Sequence, residues 1–115
     1  MSDQTDLHRR WEVRPTLRLP GVQISNPLDQ TLLDRVAKGL QQHTNVEAAH
    51  VWFLGGQHSW ALTATILFVQ PLSLGAAMEE ATNLLAQAGA AAGLVADVAV
   101  EVTAEPGGVD PRTLL

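Results

Sequence analysis

Hydrophobic positions along the chain follow two rhythms that take turns. In "TLRLPGVQIS" (16–25) they alternate with polar ones, Leu17 and Leu19 on one face, Val22 and Ile24 on another. A period of two marks a strand with one face buried. Pro20 has no N–H to offer a ladder, so the pattern predicts an edge strand with a kink or bulge at Pro20-Gly21. The rhythm changes in "SNPLDQTLLDRVAKGLQQH" (25–43), where Leu28, Leu32, Val36 and Leu40 recur at helical spacing and Leu33 and Ala37 widen the stripe. Asn26 suits the N-cap and Pro27 the first helical position. Asp29 and Asp34 precede Arg35 and Lys38, as the helix dipole favours.

Two strands are predicted next, "VEAAHVWFL" (46–54) and "WALTATILFV" (60–69). The linker Gly55-Gly56-Gln57-His58-Ser59 is short enough only for a hairpin, so they pair antiparallel. Trp60, Leu62, Ile66 and Phe68 line one face of the second strand, and Thr63 and Thr65 mark the other. In the first strand Val51 and Phe53 oppose His50, Trp52 and Leu54. "SLGAAMEEATNLLAQAG" (73–89) reads as a second helix with Leu74, Met78, Ala81, Leu85 and Ala88 buried and Gly89 as its C-terminal cap. Its alanine-rich face permits close approach to the other helix. In "LVADVAVEVTA" (94–104), a last strand, Ala96, Val98, Val100 and Val102 point inward and Asp97, Glu101 and Thr103 to water. One face of the sheet is therefore solvated or only partly covered.

The order β-α-β-β-α-β, with one apolar stripe per helix, predicts an α+β two-layer sandwich. Two helices cover one face of a four-stranded, mainly antiparallel sheet. The expected limits are a flexible arm at 1–10, one domain at 11–104 and a flexible tail at 105–115.

Composition narrows the chemistry. The chain has 115 residues and no cysteine, which excludes disulfides, thiolate zinc sites and cysteine nucleophiles. Its formal net charge is −5. Arg9, Arg10, Arg14 and Arg18 cluster early, and beyond Lys38 the only basic residue is Arg112. A folded body without a basic face is not expected to bind nucleic acid. The early arginines read as a solubilising arm, or as a tether to an anionic membrane or partner. No apolar run nears the ~20 residues of a spanning helix, and charges stand where a signal peptide is apolar. The expected location is cytoplasmic, with membrane proximity through a membrane-anchored partner as the variant of that reading.

"HVWFLGGQHSWALTATILFV" (50–69) sets histidines and tryptophans around Gly55-Gly56 and raises the question of a site. His43, at the end of the first helix, could approach His50 and join Glu47 in a weak surface metal site. Zinc needs three or four ligands converging on one point, and no tight metal spacing is present, so the expectation is no metal and no cofactor. His58 and Ser59 are adjacent but not arranged as base and nucleophile, with no glycine-framed elbow. Gly55-Gly56 lacks the lysine and helix N-terminus of a phosphate cradle. Glu79 and Glu80 point in different directions along a helix. No catalytic residues are assigned, and a non-enzyme is expected.

Trp52 remains, predicted on the outer face with Leu54, Thr63, Thr65 and Leu67. A tryptophan on an uncovered sheet is a candidate contact anchor, unless the arm around Trp11 folds over it. Trp52, Leu54 and Leu67 are the candidate interaction residues.

"GVQIS" before the helix, the turn at Val46 and "GLVADVAVEV" near the end resemble the alkaline-shock envelope-stress family and its membrane-anchor branch in Gram-positive bacteria. The likeness covers about 21–103, with Thr44-Asn45 where that family usually has Pro-Gly. It implies a non-enzymatic interaction module in a homo-oligomer, or bound to a related small α+β subunit. "HVWFL", "ALTA", "LSLGAAMEEA" and "ADVAVEVTAEP" are similar to the cytoplasmic domain of cation diffusion facilitators, with Glu101 at the place of a metal-binding histidine. That likeness implies a stand-alone metal-responsive domain instead.

Overall fold

In the computed structural model, which describes residues 10–19, 30–55, 60–95 and 99–106, six elements follow one another. They are β1 (Trp11–Leu19), α1 (Gln30–Gln41), β2 (Val46–Gly55), β3 (Trp60–Phe68), α2 (Leu74–Ala91) and β4 (Ala99–Pro106). The strands form one sheet in the order β2-β3-β1-β4, antiparallel at every junction. β3 lies between β1 and β2, and β1 between β3 and β4, which is the split β-α-β arrangement. The expected α+β sandwich is the observed fold.

Both helices cover the same face. Val36 and Leu40 of α1 and Ala77, Ala81, Leu84 and Leu85 of α2 join one core with Val13, Leu17, Leu19, Leu62, Ile66 and Phe68. α2 lies close to its neighbours because small residues stand at the contacts. A Cβ on Gly89 would meet Leu62 Cδ2 at 3.1 Å, and one on Gly39 would meet the Ala88 Cβ at 3.4 Å. Ala81, Leu85 and Ala88 of the expected stripe are buried, but its first two members, Leu74 and Met78, are not. Ala77, Leu84 and Gly89 are buried, whereas Leu74 is 43% exposed and Met78 only partly covered. Close approach, not side-chain size, decides which flank faces the sheet.

β1 corrects the expected edge strand. It begins at Trp11 and is central, with partners on both sides; the expected kink at Pro20-Gly21, with Val22 and Ile24, lies outside the described residues. The proline that does lie within it is Pro15, fully buried opposite Val102, next to a register shift at Thr16/Leu17. The extra residue at that shift is Val100 of β4; on the other side the β1–β3 register skips Arg14 and Pro15, so the proline falls in a gap of the ladder, where its missing N–H is tolerated. The Pro15 carbonyl accepts a hydrogen bond from Thr63 Oγ1 at 3.1 Å, and Thr16 Oγ1 lies 2.9 Å from the same hydroxyl. The Thr63 proton goes to Pro15, so Thr16 is the donor in that pair.

Other boundaries shift for local reasons. Gly89 is not the cap of α2; the helix runs on to Ala91 and Gly93 takes the left-handed φ of 95°. Leu94 N–H donates to the Gly89 carbonyl at 2.8 Å and Gly93 N–H to that of Ala90 at 3.0 Å, a Schellman closure. Ser73 opens α2, its hydroxyl accepting from Ala76 N–H at 3.3 Å. Leu94 belongs to the helix closure and not to the last strand, whose described part is Ala99–Pro106; in it Val100 is 51% exposed while Val102 packs on the core. It also continues through Glu105 and Pro106, paired with Glu12 and Trp11. At the other limit Arg10, placed in the expected arm, donates to the Phe68 carbonyl and pairs with Glu47. The residues Asn26, Pro27, Leu28 and Asp29, the pair His58-Ser59, and Ala96, Asp97 and Val98 lie outside the described residues.

Candidate interaction face

Alternation along β2 and β3 sorts their side chains between two surfaces. Val51 pairs with Ala64 and Phe53 with Leu62 on the helix side, which turns Trp52 opposite Thr63 and Leu54 opposite Ala61 on the open side. His50, opposite Thr65, shares that open side, its ring centroid 6.3 Å from that of Trp52 at an angle of 48°. Trp52 is half-buried and Leu54 is 48% exposed. Leu67 has the same facing but sits opposite Ala48 and Glu12, four residues along β3 from Thr63, or about 13 Å at strand spacing. The predicted trio therefore divides: Trp52 and Leu54 adjoin, and Leu67 stands at the other end of the strand beyond His50 and Thr65.

Trp11 does not cover Trp52. It belongs to the helix side of β1, 9% exposed, and its indole N–H donates to the Leu72 carbonyl at 3.0 Å. The floor beneath Trp52 is polar but closed, since Thr63 is only 2% exposed and is satisfied through Thr16 and Pro15. Sequence patterning missed this threonine network because it needs β1 and β3 side by side. The far half of the open face, on β1 and β4, is charged: Arg14 bridges Glu12 at 3.1 Å and Glu105 at 3.0 Å. An apolar and aromatic half thus adjoins an ion-paired half.

The candidate metal ligands do not converge. His43 sits in the turn after α1, where its Nδ1 accepts from Asn45 N–H at 3.2 Å. Glu47 is the extra residue of a bulge between Val46 and Ala48, with its carboxylate on Arg10. His50 is beside Trp52 on the open face. Among the described residues no three histidine or carboxylate side chains form a group that could hold a metal ion. Arg10 and Arg14 of the basic cluster have acidic partners within the fold, and no described helix is long and apolar enough to cross a membrane.

Gly55 has a structural role. A Cβ placed on it would fall inside the ring of its cross-strand partner Trp60, which packs directly over the bare glycine backbone. In comparisons with known proteins, the chain matches no family model, no curated protein and no solved structure.

Proposed function

We propose that this protein is a non-enzymatic interaction module that associates with itself through the Trp52 region of its open sheet face. The observation that carries the reading is a tryptophan on the side of the sheet that neither helix covers, next to the exposed Leu54. Large aromatic side chains in such positions anchor interfaces, and the ion-paired β1–β4 half has the character of a polar rim. The resemblance of residues 21–103 to the alkaline-shock family supports the same class and adds a place of action, in the cytoplasm near the cell envelope.

The test is Trp52→Asp, followed by light scattering coupled to size exclusion, with circular dichroism as the folding control. The wild type is expected to be a dimer or larger. The variant should remain folded and monomeric, its association weakened by ~2 kcal/mol or more, roughly thirtyfold. A wild type that stays monomeric at high concentration overturns the reading. A variant that unfolds would place Trp52 in the core.

A further inference from the structure

Among the described residues the sheet ends on two edge strands, β2 and β4, and they are built differently. β4 carries Glu101 and Glu105, ends on Pro106, and is paired through the register shift at Thr16/Leu17. Charge, proline and irregularity are what edges carry when they are kept from pairing with other chains. β2 carries its one charge, Glu47, in a bulge at its start. From Ala48 to Gly55 it holds no acidic residue, lysine, arginine or proline.

Geometry shows which backbone groups are open there. Gln41 of α1 reaches across the edge and donates its side-chain N–H to the Ala49 carbonyl at 3.3 Å, so that carbonyl points away from β3. Alternation in an antiparallel strand then turns the N–H and C=O groups of Ala49, Val51 and Phe53 outward, and those of His50, Trp52 and Leu54 toward β3. Beside them an open groove of about 400 Å3 separates Leu33, Ala37 and Gln41 of α1 from residues 49–52 of β2.

We propose that a second copy of this chain occupies this edge, β2 pairing antiparallel with its own counterpart about a two-fold axis at Val51. The pairing rests on the self-association proposed above and gives it a geometry. With Val51 opposite Val51 of the second copy, residues 47–55 overlap along the whole strand, and Glu47 meets Gly55 instead of another acid. Ala49 opposes Phe53 on the helix side, small against large. On the open side His50 opposes Trp52 of the second copy, at the non-hydrogen-bonded positions where side chains lie closest. Since His50 and Trp52 already adjoin within one chain, four rings gather in one cluster flanked by Leu54. Roughly six backbone hydrogen bonds form, and the exposed Gln41 side chain gives up the Ala49 carbonyl to the Phe53 N–H of the second copy.

The chain contains no cysteine, so a single introduced one reports alone. In the full chain, Val51→Cys should form a covalent dimer on mild oxidation, because hydrogen-bonded antiparallel partners sit about 5.5 Å apart at Cα, within disulfide reach. Ala49→Cys alone should not, its twin lying four residues along the strand. Ala49→Cys mixed with Phe53→Cys should give the mixed dimer. Val51→Pro removes a donor aimed at the open edge and spares the β3 ladder, so it should stay folded by circular dichroism and dimerise at least tenfold more weakly. A wild-type dimer in which Val51→Cys fails to cross-link, while Trp52→Cys or Thr65→Cys succeeds, means packing face to face; it overturns the edge pairing and leaves the self-association standing. A monomeric wild type overturns the self-association itself, and the pairing with it.

Discussion

At Gly55 the presence or absence of one carbon decides where an indole lies. In an open strand, glycine to alanine is favourable, since it removes backbone freedom from the unfolded chain. Here the added carbon would occupy the space of the Trp60 ring. Gly55→Ala is therefore expected to destabilise by about 1–3 kcal/mol, as overpacking does, read as a lower denaturant midpoint with altered tryptophan fluorescence. In a Trp60→Ala background the same change should cost little, and a double-mutant cycle measures the coupling. The glycine pair was legible as the mark of an antiparallel β2–β3 pair. The reason for Gly55 was not legible, because a ring packed over a backbone is a matter of register. The same holds for Thr63, whose hydroxyl is matched only once β1 lies beside it.

Among elements, periodicity gave the order of the described helices and strands, but it set the first strand at 16–25 where the structure has Trp11–Leu19, and it strayed at other ends as well. Gly89 and Gly93 both stand near the close of α2, and composition does not choose between them. The closure chooses Gly93, with its φ of 95°, while Gly89 remains in the helix against Leu62. Gly93→Ala should cost about 1 kcal/mol and lower Tm by roughly 3–6 °C in a thermal melt, because a Cβ strains the left-handed region. Gly75→Ala, in the first turn of α2 with nothing within 4 Å of the new carbon, should instead stabilise by up to about 1 kcal/mol. Opposite signs for two glycines of one helix would confirm that conformation, and not residue type, governs each. Strand order was less legible than strand existence. β1 read as an edge because Pro20 interrupts its pattern, yet the contacts that make it central come from β3 and from the distant β4.

For the molecule as a whole, the chemical question is whether its histidines bind metal. Each candidate ligand has another engagement: Arg10 holds Glu47, Asn45 occupies His43 Nδ1, and His50 adjoins Trp52. A functional zinc site would add ~2.7 kcal/mol to stability at a hundredfold excess over its dissociation constant. Micromolar zinc is expected to leave Tm unchanged. A stoichiometric calorimetric isotherm, lost in His50→Ala, would make this a metal-responsive domain. The outward facing of Trp52 was legible from alternation alone. The separation of Leu67 was not, because alternation assigns a face and says nothing of distance along it.

The place of β1 between β3 and β4 has a consequence for the protein while it is being made. β1 leaves the ribosome ahead of both neighbours, and β4 is translated roughly 4–16 s after it at ordinary elongation rates. Through that interval one side of a buried, apolar strand has no partner, a condition under which nascent chains stick to one another. Arg14 and Arg18 interrupt that strand with positive charge at the positions where a gatekeeper would be placed. In the finished fold Arg14 holds Glu105 of β4, the strand that ends the exposure. A residue whose charge disfavours sticking of the nascent strand is thus also one that meets the acid of β4 at the surface of the finished sheet.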